Sequence, residues 1–282
     1  MLRDITIGQY YDTDSLIHRL DPRTKVVGTF LFIIGLFLVK SIFGLVAAAL
    51  SLLIIIRITK IPLSFILRGQ KAIAMLLLFT VVLNMFMVAG DVLVAIGPLH
   101  ITFQGMYMAV FMAGRLVMLM IGCSLMTLTT TPLQLTDALE RLLRPLKKIH
   151  VPVHDIAMMM SIALRFIPIL MEETDKIMKA QSARGADFES GGLIQKAKSL
   201  IPVLVPLFIS AFRRADELAT AMEARCYRGD EGRTKMKELK YTVKDHVAKL
   251  IMTALAAGLF CTRYLPGVLS TIQAIGKILG RG

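Results

Sequence analysis

Few side chains in this sequence stand where chemistry would need them. Glu172 and Glu173 are adjacent, and paired glutamates could activate water at a peptide bond within a membrane. The E-E-x-x-x-R spacing of such a protease, however, puts Ile177 where the arginine belongs. His150 and His154 lie four apart, a spacing that suits two metal ligands on one helical face. Pro152 between them spoils that face, and no glutamate completes an H-E-x-x-H pattern. Cys123, Cys226 and Cys261 are odd in number and widely spaced, which fits neither a zinc site nor a disulfide framework. No glycine starts G-x-x-x-x-G-K-[ST], so the chain carries no phosphate loop. No catalytic residue, metal site or cofactor is expected.

What does stand out is a repeated ending. Two long charged stretches finish alike, one at Ala183-Arg184-Gly185 and the other, 41 residues on, at Ala224-Arg225-Cys226. Each follows an apolar stripe at helical spacing: Ile167, Leu170, Met171, Thr174, Ile177 and Met178 before the first, and Phe208, Ala211, Phe212, Ala215, Leu218 and Met222 before the second. Arg184 follows Ile177 by seven residues and Arg225 follows Leu218 by seven, almost two helical turns, so each arginine stays in register with its stripe. An arginine near a helix C-terminus complements the helix dipole, and a glycine after it serves as a cap. Two such ends with small neighbours point further, to docking: small flanking residues let a guanidinium enter a groove and make buried bidentate contacts.

The elements that must carry these ends belong to a membrane protein. Of 282 residues 55% are hydrophobic, and the mean hydropathy is +0.66, too apolar for an ordinary soluble domain. The first 25 residues are polar, so no secretory leader is expected. Apolar runs at 26–39, 41–58, 71–90 and 105–129 read as four spans, the first two as a tight hairpin around Lys40, and 243–265 as a weaker fifth trimmed by Lys249 and Arg263. Lys and Arg number four up to residue 25, one at Lys40, four from Arg57 to Lys71, none over 91–104 and 18 over 130–242. That alternation places the N-terminus and the long segment in the cytoplasm. Arg263, Lys277 and Arg281 fit an outside C-terminal tail poorly. The net charge of +13 reports orientation in this way; with no run of like charges interleaved with aromatics, nucleic-acid binding is not expected.

Residues 130–242 are helical in pattern throughout. Thr131-Pro132 opens a helix, and LQLTDALERLLRPLKKI sets leucines 135, 139, 142 and 146 opposite a charged face, a basic amphipathic segment suited to a membrane surface. Pro168, Pro202 and Pro206 are expected to bend long helices. Met158, Met159 and Met160 offer flexible thioethers that can repack against different partners. Within the spans, Arg115 and Asn84 are read as structural, with Arg115 bonding neighbouring helix groups such as Asn84. The fold class is all-α: a polytopic membrane protein of about five transmembrane helices with a cytoplasmic region of about three long helices. Its parts are a membrane region (1–129), the cytoplasmic helical region (130–242) and a C-terminal helix with tail (243–282).

GQYYDTDSLIHRLDPRTK (8–25), TTPLQLTDALERLLRPLK (130–147), ALRFIP (163–168) and AQSARGADF (180–188), with the paired arginine ends, resemble the transmembrane T component of energy-coupling factor transporters. The resemblance covers most of the chain. It implies a non-catalytic scaffold of a prokaryotic cell membrane with two ATP-binding-cassette ATPase subunits as partners. Ala183-Arg184-Gly185 and Ala224-Arg225-Cys226 would each sit in a groove on one of them, with Cys226 standing where glycine is expected. It also implies one or more small substrate-binding S components in the bilayer, reoriented when the ATPases close and reopen to release a vitamin or metal ion inside. Met158–Met160 are then expected to face S components. An intramembrane protease-like enzyme and the membrane subunit of a conventional importer are the competing readings.

Overall fold

The computed structural model describes residues 10–68, 71–89, 91–96, 99–188, 192–229 and 239–262. Gly8 and Gln9 of the N-terminal motif, Gly90, the ends of the fifth run and its tail basic residues lie outside the described residues. Among the described residues nine α-helices follow in order: α1 Pro22–Leu38, α2 Ile42–Thr59, α3 Leu63–Arg68, α4 Lys71–Met87, α5 Phe103–Thr129, α6 Pro132–Leu143, α7 Val153–Ala183, α8 Leu193–Ala224 and α9 Val243–Cys261. A 3-10 helix, Arg144–Ile149, follows α6. The fold is all-α as expected, apart from a short antiparallel hairpin between α4 and α5, β1 Val92–Ile96 and β2 Leu99–Thr102. Two compact units form, Gly8–Leu135 with Leu239–Gly282, and a second built around Thr136–Glu238.

In the first unit α5 is the hub, packed on α1, α2, α3 and α4. Its core joins Phe32 and Leu36 of α1, Leu45, Leu52 and Ile56 of α2 and Phe111, Met118 and Leu125 of α5 with Leu259 of α9. The first two apolar runs do not close on each other as a packed hairpin. α1 lies against α9 and α5, and α2 against α5. Glycines explain the choice: a Cβ at Gly28 would stand 1.8 Å from the Met252 sulfur, and one at Gly35 3.2 Å from Leu259, so the bare face of α1 seats α9. α4 and α5 approach as closely at Gly105, where a Cβ would meet the Met85 carbonyl oxygen at 2.8 Å.

Among the described residues α2, α5, α7 and α8 are long and apolar enough to cross a membrane. Only α2 and α5 of these are among the five expected spans; α7 and α8 are the helices that charge counting places in the cytoplasm, while α1, α4 and α9 fall short by length or composition. The outward surface of the first unit is apolar in the manner of a lipid-facing bundle, with Phe37, Leu53, Met75 and Phe79 all exposed.

The end of this unit that carries the N-terminal motif is a polar clasp. Lys25, buried one residue before the apolar run from Val26, donates to the carbonyls of Thr129 at 2.7 Å and His18 at 3.1 Å. The Tyr11 amide donates to the Leu128 carbonyl. Asp21 caps α1 through the Arg23 amide, and its own amide donates to the Asp245 carboxylate at 2.7 Å. The Asp245 carboxylate also accepts from the Thr242 amide at 2.8 Å and hydroxyl at 2.6 Å. Arg23 pairs with Asp21 at 2.8 Å, donates to the Leu239 carbonyl at 2.9 Å and lies 3.9 Å above the Tyr241 ring. One motif thus holds the last residues of α5, where the chain leaves the unit, and residues 239–245, where it returns.

Desolvation holds the Lys25 ammonium down to about 8, against an ordinary 10.5, with Asp21 and Asp245 opposing the shift. Between these values the unfolded chain keeps the proton that the native chain releases, so stability rises with pH across that window and owes no slope to Lys25 below it. Detergent-solubilised protein should therefore gain melting temperature from about pH 8 to about pH 10 relative to Lys25→Met. The variant should be weaker by about 1–3 kcal/mol at neutral pH, because two carbonyls lose their donor. Parallel melting curves for the two proteins across that range would refute this role.

Candidate functional site

The two arginine ends are built alike, bond for bond. In α7 the Gly185 amide donates to the Ser182 carbonyl and the Ala186 amide to the Gln181 carbonyl, both at 3.0 Å. In α8 the Cys226 amide donates to Glu223 at 2.8 Å and the Tyr227 amide to Met222 at 3.1 Å. These paired bonds define a Schellman ending, which satisfies the last carbonyls by turning one residue left-handed. That residue is Gly185 at φ +88° in one case and Cys226 at φ +56° in the other. The arginine comes just before it as the C-cap, at φ −89° and ψ 7° for Arg184 and φ −91° and ψ 12° for Arg225. Cys226 thus replaces glycine without changing the path of the chain, at the cost of a left-handed side chain.

Both guanidinium groups are exposed, and neither forms a hydrogen bond or ion pair with a described residue. A Cβ at Gly185 would have nothing within 4 Å, so the backbone behind Arg184 is bare. The bonds beneath the ends are local, and the helices themselves set the spacing. α7 and α8 pack antiparallel: Gln181 donates to the Pro202 carbonyl at 3.3 Å, Arg214 pairs with Glu173 at 3.4 Å, and the Tyr227 hydroxyl reaches the Met158 sulfur at 3.0 Å. Arg225 therefore lies level with the start of α7 and Arg184 at its far end, a separation of about 40 Å at 1.5 Å per residue. Pro168, Pro202 and Pro206 sit inside helices that continue through them.

The other sequence-selected residues fall into different roles. Met158 is partly buried against Tyr227, whereas Met159 and Met160 are exposed. Further along the pair, level with the second half of α7, α8 exposes Ile201, Leu204, Val205, Phe208, Ile209 and Phe212, a stripe at spacing three and four that the six stripe positions chosen from sequence only partly overlap. Arg115 and Asn84 do not bond each other. Arg115 donates to the Val39 carbonyl that ends α1 and stacks on Phe111, while Asn84 donates to Thr80 one turn back at 2.8 Å. A helix that ends inside apolar surroundings needs its open carbonyls satisfied, and Arg115 does this for α1. His154 faces Glu140 at 3.0 Å, and among the described residues no three metal-ligating side chains converge.

The first unit, with apolar exposed helices, and the second, with matched arginine ends, define a polytopic α-helical membrane protein equipped to engage other chains. A family profile described as "Cobalt transport protein" (CbiQ) matches residues 13–236. The chain is 58% identical over 245 residues to the energy-coupling factor transporter transmembrane protein EcfT of Ruminiclostridium cellulolyticum, covering 87% of this chain and 92% of that one. It is 52% identical over 264 residues to the EcfT of Thermosediminibacter oceani, covering 94% of this chain and 100% of that one. To the EcfT of Bacillus subtilis it is 47% identical over 264 residues, covering 93% and 100%. The chain belongs to this family, the transmembrane components of energy-coupling factor transporters.

The left-handed Cys226 sets up a direct test of the shared ending. A side chain in this conformation costs roughly 1 kcal/mol more than glycine, so Cys226→Gly should slow hydrogen exchange at the amides of 226 and 227 by about fivefold. Gly185→Ala should speed exchange at 185 and 186 by a similar factor. Faster exchange in Cys226→Gly would show that the two ends are not equivalent.

Proposed function

We propose that the chain is the scaffold that couples ATP hydrolysis by two ATP-binding-cassette subunits to reorientation of a membrane-embedded substrate-binding S component. The observation that carries this reading is the pair of matching Schellman endings, each presenting an exposed arginine, at opposite ends of one antiparallel helix pair. Two equal subunits offer two equal grooves, and a single chain can fill both only if it presents the same feature twice, well separated. Arginine suits the task because its planar fork makes bidentate charge-assisted bonds once desolvated. The chain itself does no chemistry in this scheme.

In the same scheme residues 130–242 lie in the cytoplasm with the N-terminus, in keeping with their 18 basic residues. The exposed α8 stripe from Ile201 to Phe212 and, nearer the Arg225 end of the pair, Met159 and Met160 are two separate apolar surfaces for the S component. Apolar area of this kind is the usual mark of a protein partner, and thioethers repack readily. Movement of the two arginine ends as the ATPases close and reopen would reach the S component through α7 and α8 as rigid elements. The S component would then release a vitamin or other micronutrient inside a prokaryotic cell.

Charge reversal at the ends tests the scheme. Arg184→Glu and Arg225→Glu should each weaken ATPase association by several kcal/mol if the groove is desolvated, and the double variant should abolish uptake in reconstituted vesicles. Arg→Lys should fall between, having charge without the fork. Wild-type uptake by the double variant would eliminate docking through these ends.

A further inference from the structure

The 3-10 helix that follows α6 carries a strongly basic surface of the second unit not used above. From Arg141 to Ile149 the chain reads RLLRPLKKI, four cations and no carboxylate in nine residues. Residues 143–150 are all exposed. In a 3-10 helix side chains three apart eclipse one another. The tight winding of Arg144–Ile149 therefore stacks Arg144 over Lys147 along one edge and Pro145 over Lys148 along the next. Leu143, Leu146 and Ile149 share the third edge, with exposures of 42%, 38% and 75%. Arg141, Arg144, Lys147 and Lys148 border an open basin beside Pro145. Glu140, the carboxylate nearest in sequence, is turned to His154 at 3.0 Å. His150, left-handed at φ +62°, then ends the turn.

A turn that carries Arg141, Arg144 and Lys148 beside an apolar edge suits two surroundings at once, anions at these cations and an apolar boundary for Ile149. A cation near a helix end satisfies the local dipole, but that does not account for an isoleucine left three-quarters exposed beside it. We propose that Arg141–Ile149 is a binding surface for the anionic headgroups of membrane phospholipids, with Leu143, Leu146 and Ile149 entering the acyl boundary. Charge complementarity selects this occupant, since polybasic segments next to spans bind anionic leaflets and amphipathic ones insert their apolar side. α6 starts three residues after α5 ends, so the chain tethers the turn within about 30 Å of the end of a span. Bound there, the turn fixes the origin of α7, against which the two arginine ends would be moved. The proposal rests on the cytoplasmic placement of this segment but needs neither ATPase nor S component for its test.

The test uses the full chain alone in lipid nanodiscs, with Cys123, Cys226 and Cys261 replaced by serine and a polarity-sensitive fluorophore on Ile149→Cys. Nanodiscs of phosphatidylcholine are compared with others containing phosphatidylglycerol, some with brominated acyl chains. Quenching by the brominated lipid and a blue shift are expected only with phosphatidylglycerol, fading as salt rises from about 0.1 M to about 1 M. Each neutralisation among Arg141→Gln, Arg144→Gln, Lys147→Gln and Lys148→Gln should weaken the response about fivefold. Equal quenching in both lipids, or a response unchanged in the quadruple variant, would overturn the proposal. So would a probe that stays in water until purified ATPase subunits are added, which would make the turn a protein-docking surface.

Discussion

A corner at the head of α1 must satisfy backbone carbonyls from three parts of the chain, and much else rests on how it does so. The Lys25 ammonium takes the carbonyls of Thr129 and His18, while Arg23 takes that of Leu239. Asp245 accepts from the Asp21 amide across 224 residues of sequence. Backbone groups left open here would each cost about as much as a lost hydrogen bond, so the clasp ties the last residues of α5 and residues 239–245 to the head of α1. The cost is a lysine whose charge is disfavoured by burial, which explains why the motif surrounds it with carboxylates. A similar logic applies deeper in the span, where Arg115 neutralises the end of α1.

The helix ends in the second unit use backbone bonding to a different purpose. A Schellman ending closes the last carbonyls without help from other elements, so Arg184 and Arg225 need support from nothing but their own helices. Their side chains stay exposed. That Cys226 follows the same left-handed path as Gly185 shows that the backbone geometry, more than the residue, defines the feature.

Much of this was legible before the structure. Continuous apolar runs reveal α1, α2 and α5, and apolar stripes at three and four reveal α7 and α8, because both patterns survive any choice of partner. The arginine ends are legible because small residues flank them. The hairpin of β1 and β2 was not anticipated, although Val92, Val94 and Ile96 alternate before Gly97-Pro98, a short-range turn signal. The separation of α1 from α2 was also hidden: Lys40 suggests a tight turn, but Gly28 and Gly35 make α9 the better neighbour for α1. Nor could spacing predict that Arg115 reaches Val39, since such a bond depends on where a distant helix stops.

Hydropathy alone could not separate the helices of the bilayer from those that meet a protein. α7 and α8 each have an apolar half long enough to span and a charged half that ends in the arginine. A lipid tail and an apolar protein surface impose the same demand on a side chain, so composition cannot tell them apart. Charge can, because basic residues are retained on one side of the membrane while either kind of apolar surface is indifferent to side. The stripe from Ile201 to Phe212 would be a liability in a chain working alone in water. Under the proposed function, in which the second unit grips other proteins, it becomes the expected cost of function, and its exposure is the reason α8 reads as a span at all.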